Sequence, residues 1–229
     1  MKLHNKAAYN FFKFLLKIFM FTVLNFKYKI KNYRKGPKIY AINHPTEYDA
    51  FPVFVLAKDY VHTLIEENVW SFFIPRTIFK LTDQIKIIRG ENSHITIEES
   101  IKRLKNGESL LIAPEGKRLF KGERVRAKKG VIRLAIAAKV PIIPVGAYID
   151  DNDILIKSIE FKKLGYNQEF YKPKFKANYG VVFGEPIYFD EYFEKDISKE
   201  EMQNLANYVL DKIYELKNEA KLLFKKNHN

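Results

Sequence analysis

A histidine and an aspartate five positions apart, His44 and Asp49, stand in the stretch NHPTEYD directly after the apolar run IYAI. An imidazole beside a carboxylate is a candidate general base with the acid that orients it. The carboxylate accepts from one ring nitrogen and leaves the other to take a proton. The same spacing suits a plain helix-capping aspartate, with Pro52 in the first turn, where a missing N–H is tolerated. His62, His94 and His228 have no comparable neighbours and read as structural or solvated. The chain has no cysteine, which excludes thiolate nucleophiles, disulfides and zinc–thiolate sites.

A second candidate is APEGKRLFKG, which follows the apolar run SLLI. Glu115, Gly116, Lys117 and Arg118 put two cations and a flexible backbone at a strand end. Phosphate recognition uses that combination, because a guanidinium donates two parallel hydrogen bonds while backbone N–H groups complete an anion site. The pattern does not match G-x-x-x-x-G-K-[ST], so a P-loop is rejected. Arg89, at the end of IKIIR, and Lys128 and Lys129, ahead of Gly130, could add to the site. Taken singly, each of these is equally a charged turn.

Such residues need a scaffold that brings loops together. Short β-branched runs alternate with helical periods past residue 38, which predicts one α/β domain with a mostly parallel central sheet flanked by helices. Strands are expected at 38–42, 61–65, 85–89, 109–113 and 141–148, with weaker candidates at 154–159 and 177–183. Helices are expected near 50–58, 70–80, 93–106 and 129–138. The tail opens with Ser198 three residues before Glu201, a capping box. It places Met202, Leu205, Val209, Ile213 and Leu216 on one face of a C-terminal helix. Residues 160–176, rich in lysine and aromatics without a clear period, read as a long loop. In a sheet of this kind, ligands gather beyond the carboxyl ends of the strands, where His44 and Glu115 fall.

The 229 residues carry 40 Lys and Arg against 27 Asp and Glu, a net charge of +13, with 19 Phe and 14 Tyr. The charge points to an anionic partner: nucleic acid, anionic lipid or a phosphorylated substrate. Residues 1–27 are expected to form a membrane-associating helix ahead of the main domain at 28–229. Lys6, Asn10, Lys13 and Lys17 make a polar stripe beside Phe11, Phe12, Leu15, Leu16, Ile18 and Phe19. Burying two mid-span lysines would cost roughly 2.5–3.5 kcal/mol each, which favours a helix lying in the interface over one that spans it. The basic run at 27–38 would add about 1 kcal/mol per charge at an anionic surface.

Four blocks in one order carry a resemblance. Asn43-His44 with Asp49, then Arg89, then Pro114-Glu115-Gly116-x-Arg118, then Val140-Pro141-Ile142-Ile143-Pro144 resemble the PlsC-type 1-acylglycerol-3-phosphate acyltransferases of the glycerolipid acyltransferase family. The likeness runs from about residue 38 to the FGEPI at 183–187. Thr46 stands where the family commonly has Ser, Ile88 where it has Asp, and Lys117 where it has Thr. The resemblance implies transfer of a fatty acyl group from an acyl-carrier-protein or coenzyme A thioester to the free hydroxyl of lysophosphatidic acid, giving phosphatidic acid. His44 would be the base and Asp49 its orienting acid. Arg89, Gly116, Lys117 and Arg118 would hold the acceptor phosphate, with Glu115 orienting those cations or a glycerol hydroxyl. No metal or cofactor is implied beyond the thioester co-substrate. The expected location is the cytoplasmic face of the cell membrane, peripheral or monotopic. Another lysophospholipid, glycerol 3-phosphate or an ornithine-type lipid is the alternative acceptor. A basic nucleic-acid-binding module without catalysis, resting on 121–130 and 160–176, is the alternative of another class.

Overall fold

A computed structural model describes residues 3–88, 90, 93–119, 123–161 and 166–225. Arg89 and His228 lie outside the described residues. In chain order the elements are α1 (Leu3–Val23), β1 (Asn25–Ile30), β2 (Ile39–Ile42), α2 (Ala50–Leu56), β3 (Val61–Glu66), α3 (Glu67–Trp70), α4 (Phe73–Leu81), β4 (Ile85–Ile87), α5 (Ser93–Lys105) and β5 (Ser109–Ile112). They continue with α6 (Gly130–Ala138), β6 (Ile142–Ile149), β7 (Ile154–Phe161), β8 (Tyr166–Pro173), β9 (Asn178–Phe183) and α7 (Lys199–Leu222). The main sheet has the order β1-β9-β6-β2-β5-β3-β4. β6, β2, β5, β3 and β4 run parallel, and β9 pairs antiparallel with β6 and parallel with β1. The expected α/β architecture with a mostly parallel sheet is the one observed.

Alternation along the strands explains the layers. In β2, Tyr40 and Ile42 join the apolar cluster under α1 and α2, while Ile39 and Ala41 join the cluster under α5, α6 and α7. A strand buried on both faces reads as an unbroken apolar run, which is why IYAI is legible as a strand. α7 lies tight against β6: a Cβ added to Gly146 would sit 2.1 Å from the Lys217 backbone nitrogen. Ser198 caps α7 by accepting from the Glu201 N–H at 3.0 Å, as the capping box predicts.

One expectation is corrected. Residues 166–173, expected within a long loop, form β8, paired antiparallel with β7 from Ile154↔Pro173 to Phe161↔Tyr166. Cross-strand partners specify such a strand more than its own composition does. The basic run at 27–38 is partly engaged within the fold, while Lys29 and Lys35 stay exposed. It begins inside β1, where lysines blunt a sheet edge. Lys27 donates to the Leu223 carbonyl at the end of α7, Lys31 pairs with Glu219, and Lys38 is buried against Asp59.

α1 is apolar on two sides. Tyr9, Met20 and Leu24 are buried in the core, while Phe11, Phe14, Leu15, Ile18 and Phe21 stay exposed in a stripe with three- and four-residue steps. Lys13 turns inward and donates to the Ala57 carbonyl, so the polar stripe is split. Among the described residues no helix is long and apolar enough to cross a membrane.

Candidate active site

β2 and β5 are parallel neighbours, with Ile39, Tyr40 and Ala41 opposite Leu110, Leu111 and Ile112, so the loops that leave their carboxyl ends lie side by side. His44 follows β2 by two residues and Glu115 follows β5 by three. Asn43 fixes the exit from β2. Its buried amide donates to the Ala147 carbonyl at 2.9 Å and accepts from the Ala147 N–H at 2.7 Å, satisfying both ends of the group against β6.

Asp49, 1% exposed, is the focus of the first loop. Its Oδ2 lies 2.9 Å from His44 Nδ1 and accepts from the Thr46 N–H at 2.9 Å. Oδ1 accepts from Thr46 Oγ1 at 2.7 Å and from the Tyr179 hydroxyl at 2.5 Å. Asp49 occupies the N-cap position of α2, yet its side chain makes no cap hydrogen bond. Four donors satisfy one buried carboxylate that would otherwise be costly to bury. A carboxylate only accepts, so Nδ1 carries the ring proton and Nε2 is the basic nitrogen. The His44 side chain is 32% exposed. Burial disfavours its charged form, but the hydrogen bond and charge of Asp49 outweigh that and raise its pKa above the ordinary 6.5.

The second loop holds the first by its backbone. Glu115 Oε2 accepts from the His44 N–H at 2.7 Å and Oε1 from the Tyr214 hydroxyl of α7 at 2.8 Å. Both oxygens are therefore taken by a tether between loops and helix. Burial pushes the Glu115 carboxyl above its usual range, against the pull of those two donors. The Leu119 N–H adds a third stitch, donating to the His44 carbonyl at 3.3 Å. Gly116 has φ +67°, and a Cβ there would lie 2.9 Å from the Lys128 side chain, so the turn requires glycine on two counts.

The cations divide. Arg118 is drawn to the first loop: Nη1 lies 2.7 Å from Glu47 Oε1, Nη2 donates to the Glu169 carbonyl at 3.1 Å, and the guanidinium covers the Tyr171 ring. Glu47 in turn exchanges backbone and side-chain hydrogen bonds with Tyr171, fastening β8 to the loop. Lys117 is exposed on the rim, 3.6 Å from Glu123.

The geometry is that of a base held by an acid beside a cation. A model of the family described as Acyltransferase matches residues 25–148, more than half of the chain. The chain belongs to the acyltransferase family. It is similar to a curated protein of Cocos nucifera named 1-acyl-sn-glycerol-3-phosphate acyltransferase, at 30% identity over 111 residues, which are 46% of this chain and 35% of that protein. The matched part thus spans about a third of that relative's length. Among solved structures, the 1-acyl-sn-glycerophosphate (LPA) acyltransferase PlsC of Thermotoga maritima is similar with a TM-score of 0.61 and 18% identity, over 98% of this chain and 81% of that one. At that identity the likeness is one of fold.

The family match includes His44, Asp49 and residues 115–118 but ends before Tyr179 and Tyr214, the two phenols that hold the buried carboxylates. Sequence reasoning passed over both. For Tyr179 a signal existed: a phenol in a run as apolar as NYGVVF needs a partner for its hydroxyl. The Glu47 contact to Arg118 had no such signal.

Proposed function

We propose that this family member transfers a fatty acyl group from an acyl-carrier-protein or coenzyme A thioester to the free hydroxyl of lysophosphatidic acid, forming phosphatidic acid. The observation that carries the reading is the 2.9 Å contact between His44 Nδ1 and Asp49 Oδ2, which leaves Nε2 as the basic nitrogen. In the reaction Nε2 removes the acceptor's hydroxyl proton as the oxygen attacks the thioester carbonyl. Asp49 holds the tautomer and offsets the charge of the imidazolium. Collapse of the tetrahedral intermediate breaks the C–S bond, and the thiolate leaves with the proton returned from His44. General-base assistance of this kind contributes about 10²–10⁴-fold.

Arg118 is the donor on our assignment for the acceptor phosphate, and the dianion would take over the contact now made by Glu47. Lys117, on the rim, and Arg89, beyond β4, would add charge around it. The exposed apolar stripe of α1, together with Phe73 and Ile74 on α4, supports seating of the protein on a phospholipid surface at the cytoplasmic face. Residues 1–27 would supply most of that contact and residues 28–229 the chemistry. Incubation with labelled acyl-coenzyme A or acyl-carrier protein and a panel of lysophospholipids, glycerol 3-phosphate and an ornithine-type lipid tests the reading. Phosphatidic acid identified by mass spectrometry is the expected product. Products from the other acceptors without it would overturn the acceptor assignment.

A further inference from the structure

We propose that Tyr179 is a positioning residue for the dyad: its hydroxyl anchors Asp49 Oδ1 to the sheet, so that Oδ2 stays aimed at His44 Nδ1. The inference rests on the His44 and Asp49 roles given above. Of the four donors to Asp49, three belong to the loop that carries the carboxylate itself: His44 Nδ1, Thr46 N and Thr46 Oγ1. Those three move with the loop. Among the described residues Tyr179 alone comes from elsewhere, 130 residues along the chain, in β9.

β9 is a rigid mount. Tyr179 is paired on both sides, with Phe26 of β1 and Ile149 of β6, and its side chain is wholly buried in the core cluster under α1 and α2. A phenylalanine would fill the same apolar space without a polar atom to satisfy. The hydroxyl is spent on Asp49 Oδ1, opposite the oxygen that faces the histidine. A carboxylate turns about one bond, and holding Oδ1 therefore holds Oδ2. The hydroxyl also draws negative charge from the carboxylate, which tempers its pull on the imidazolium. The charged groups that bear on the pair are Arg118, Glu47 and Glu115, and none of them changes when the phenol is altered.

The test is Tyr179→Phe with replacement of Tyr179 by 3-fluoro- and 3,5-difluorotyrosine, assayed against His44→Ala. Tyr179→Phe should lower kcat by about 10-fold or more, the weight of a hydrogen bond to a charged group, while the acceptor KM stays within twofold. The acid limb of kcat/KM should move to higher pH, because an untempered Asp49 holds the His44 proton more tightly. The fluorinated phenols keep ring and hydroxyl but donate more strongly, so they should move that limb stepwise to lower pH. They decide the matter even where Tyr179→Phe fails to fold. A hydroxyl that only stabilises the fold would change the melting temperature and leave both kcat and the acid limb at wild-type values, and that result overturns the inference. If His44→Ala itself turns over normally, the dyad reading falls first. An inactive His44→Ala beside an unaltered Tyr179 series sinks Tyr179 alone.

Discussion

His44 and His62 both face a carboxylate, yet they lie at opposite ends of the parallel strands and differ in what is left to their ring nitrogens. His62 is the second residue of β3 and is fully buried. Its Nδ1 is 2.8 Å from the Asp83 carbonyl and its Nε2 is 2.9 Å from Glu108 Oε2, so both nitrogens are consumed. Arg103 closes the group by pairing with Asp83, Glu99 and Glu108. At the same end Lys38, 1% exposed, is paired with Asp59, which also accepts from the Tyr40 hydroxyl at 3.2 Å. At the carboxyl end of β2, by contrast, one edge of the His44 ring stays open. A histidine–carboxylate pair becomes a candidate base where a ring nitrogen is left over, and strand ends that diverge into loops leave one.

The strongest way to break this contrast is to delete each ring. His44→Ala should reduce turnover by about 10²–10⁴-fold with little change in melting temperature, since a loop side chain carries little packing. His62→Ala should do the reverse: turnover per folded molecule unchanged, with a loss of about 1–3 kcal/mol for the contacts removed from Glu108 and the Asp83 carbonyl and more for the cavity. Comparable activity losses in both, measured on protein shown to be folded, would erase the distinction. Asp59→Ala extends it to the closed end. It leaves the Lys38 ammonium buried without its partner, and chemical denaturation should register about 3–5 kcal/mol while kcat is kept.

The pH profile sharpens the comparison. The raised pKa of His44 means that kcat/KM should climb with pH through a value above 6.5. The sign for stability is opposite. A group whose folded pKa is raised contributes stability that is fully present below the unfolded value and is lost as pH rises through the folded one. Activity should thus grow over the same window in which this small stabilisation fades, and His44→Ala should remove both trends.

α1 repeats the contrast between closed and open faces. Phe14 and Ile18 are exposed, so Phe14→Ser with Ile18→Ser should weaken sedimentation with anionic vesicles about tenfold and leave the fold intact. Deleting the whole segment is a poorer experiment, because Tyr9, Met20 and Leu24 belong to the core. The smallest effect is expected at Glu47, whose carboxyl burial pushes up against the opposing charge of Arg118. Glu47→Gln frees the guanidinium and should lower the acceptor KM by about two- to fivefold, the scale of a partly exposed ion pair of ~0.4–1 kcal/mol. An unchanged KM would mean that Arg118 is not the phosphate ligand.

How much of this was written in the chain depends on the range over which each feature is specified. Periodicity and caps are local, so β2, β3, β5, β6, α5, α6 and the start of α7 are legible within a residue or two from apolar runs, Gly107 and the Ser198 capping box. His44 and Asp49 are legible because both lie in one loop and need no partner from afar to be noticed. β8 was not, since its pairing with β7 outweighs its own mixed composition, and neither was the inward turn of Lys13, which answers a carbonyl at Ala57. Sequence alone could supply the candidate base, its candidate acid and the cations. Tertiary structure decided that Glu115 binds the His44 backbone and Tyr214 instead of lying free among the cations. It decided also that Arg118 answers to Glu47 and that Asp49 leans on Tyr179. Each of those contacts joins residues dozens of positions apart, and the pairing of β2 with β5 together with the packing of β9 and α7 against the parallel strands brings their polar atoms within hydrogen-bond reach.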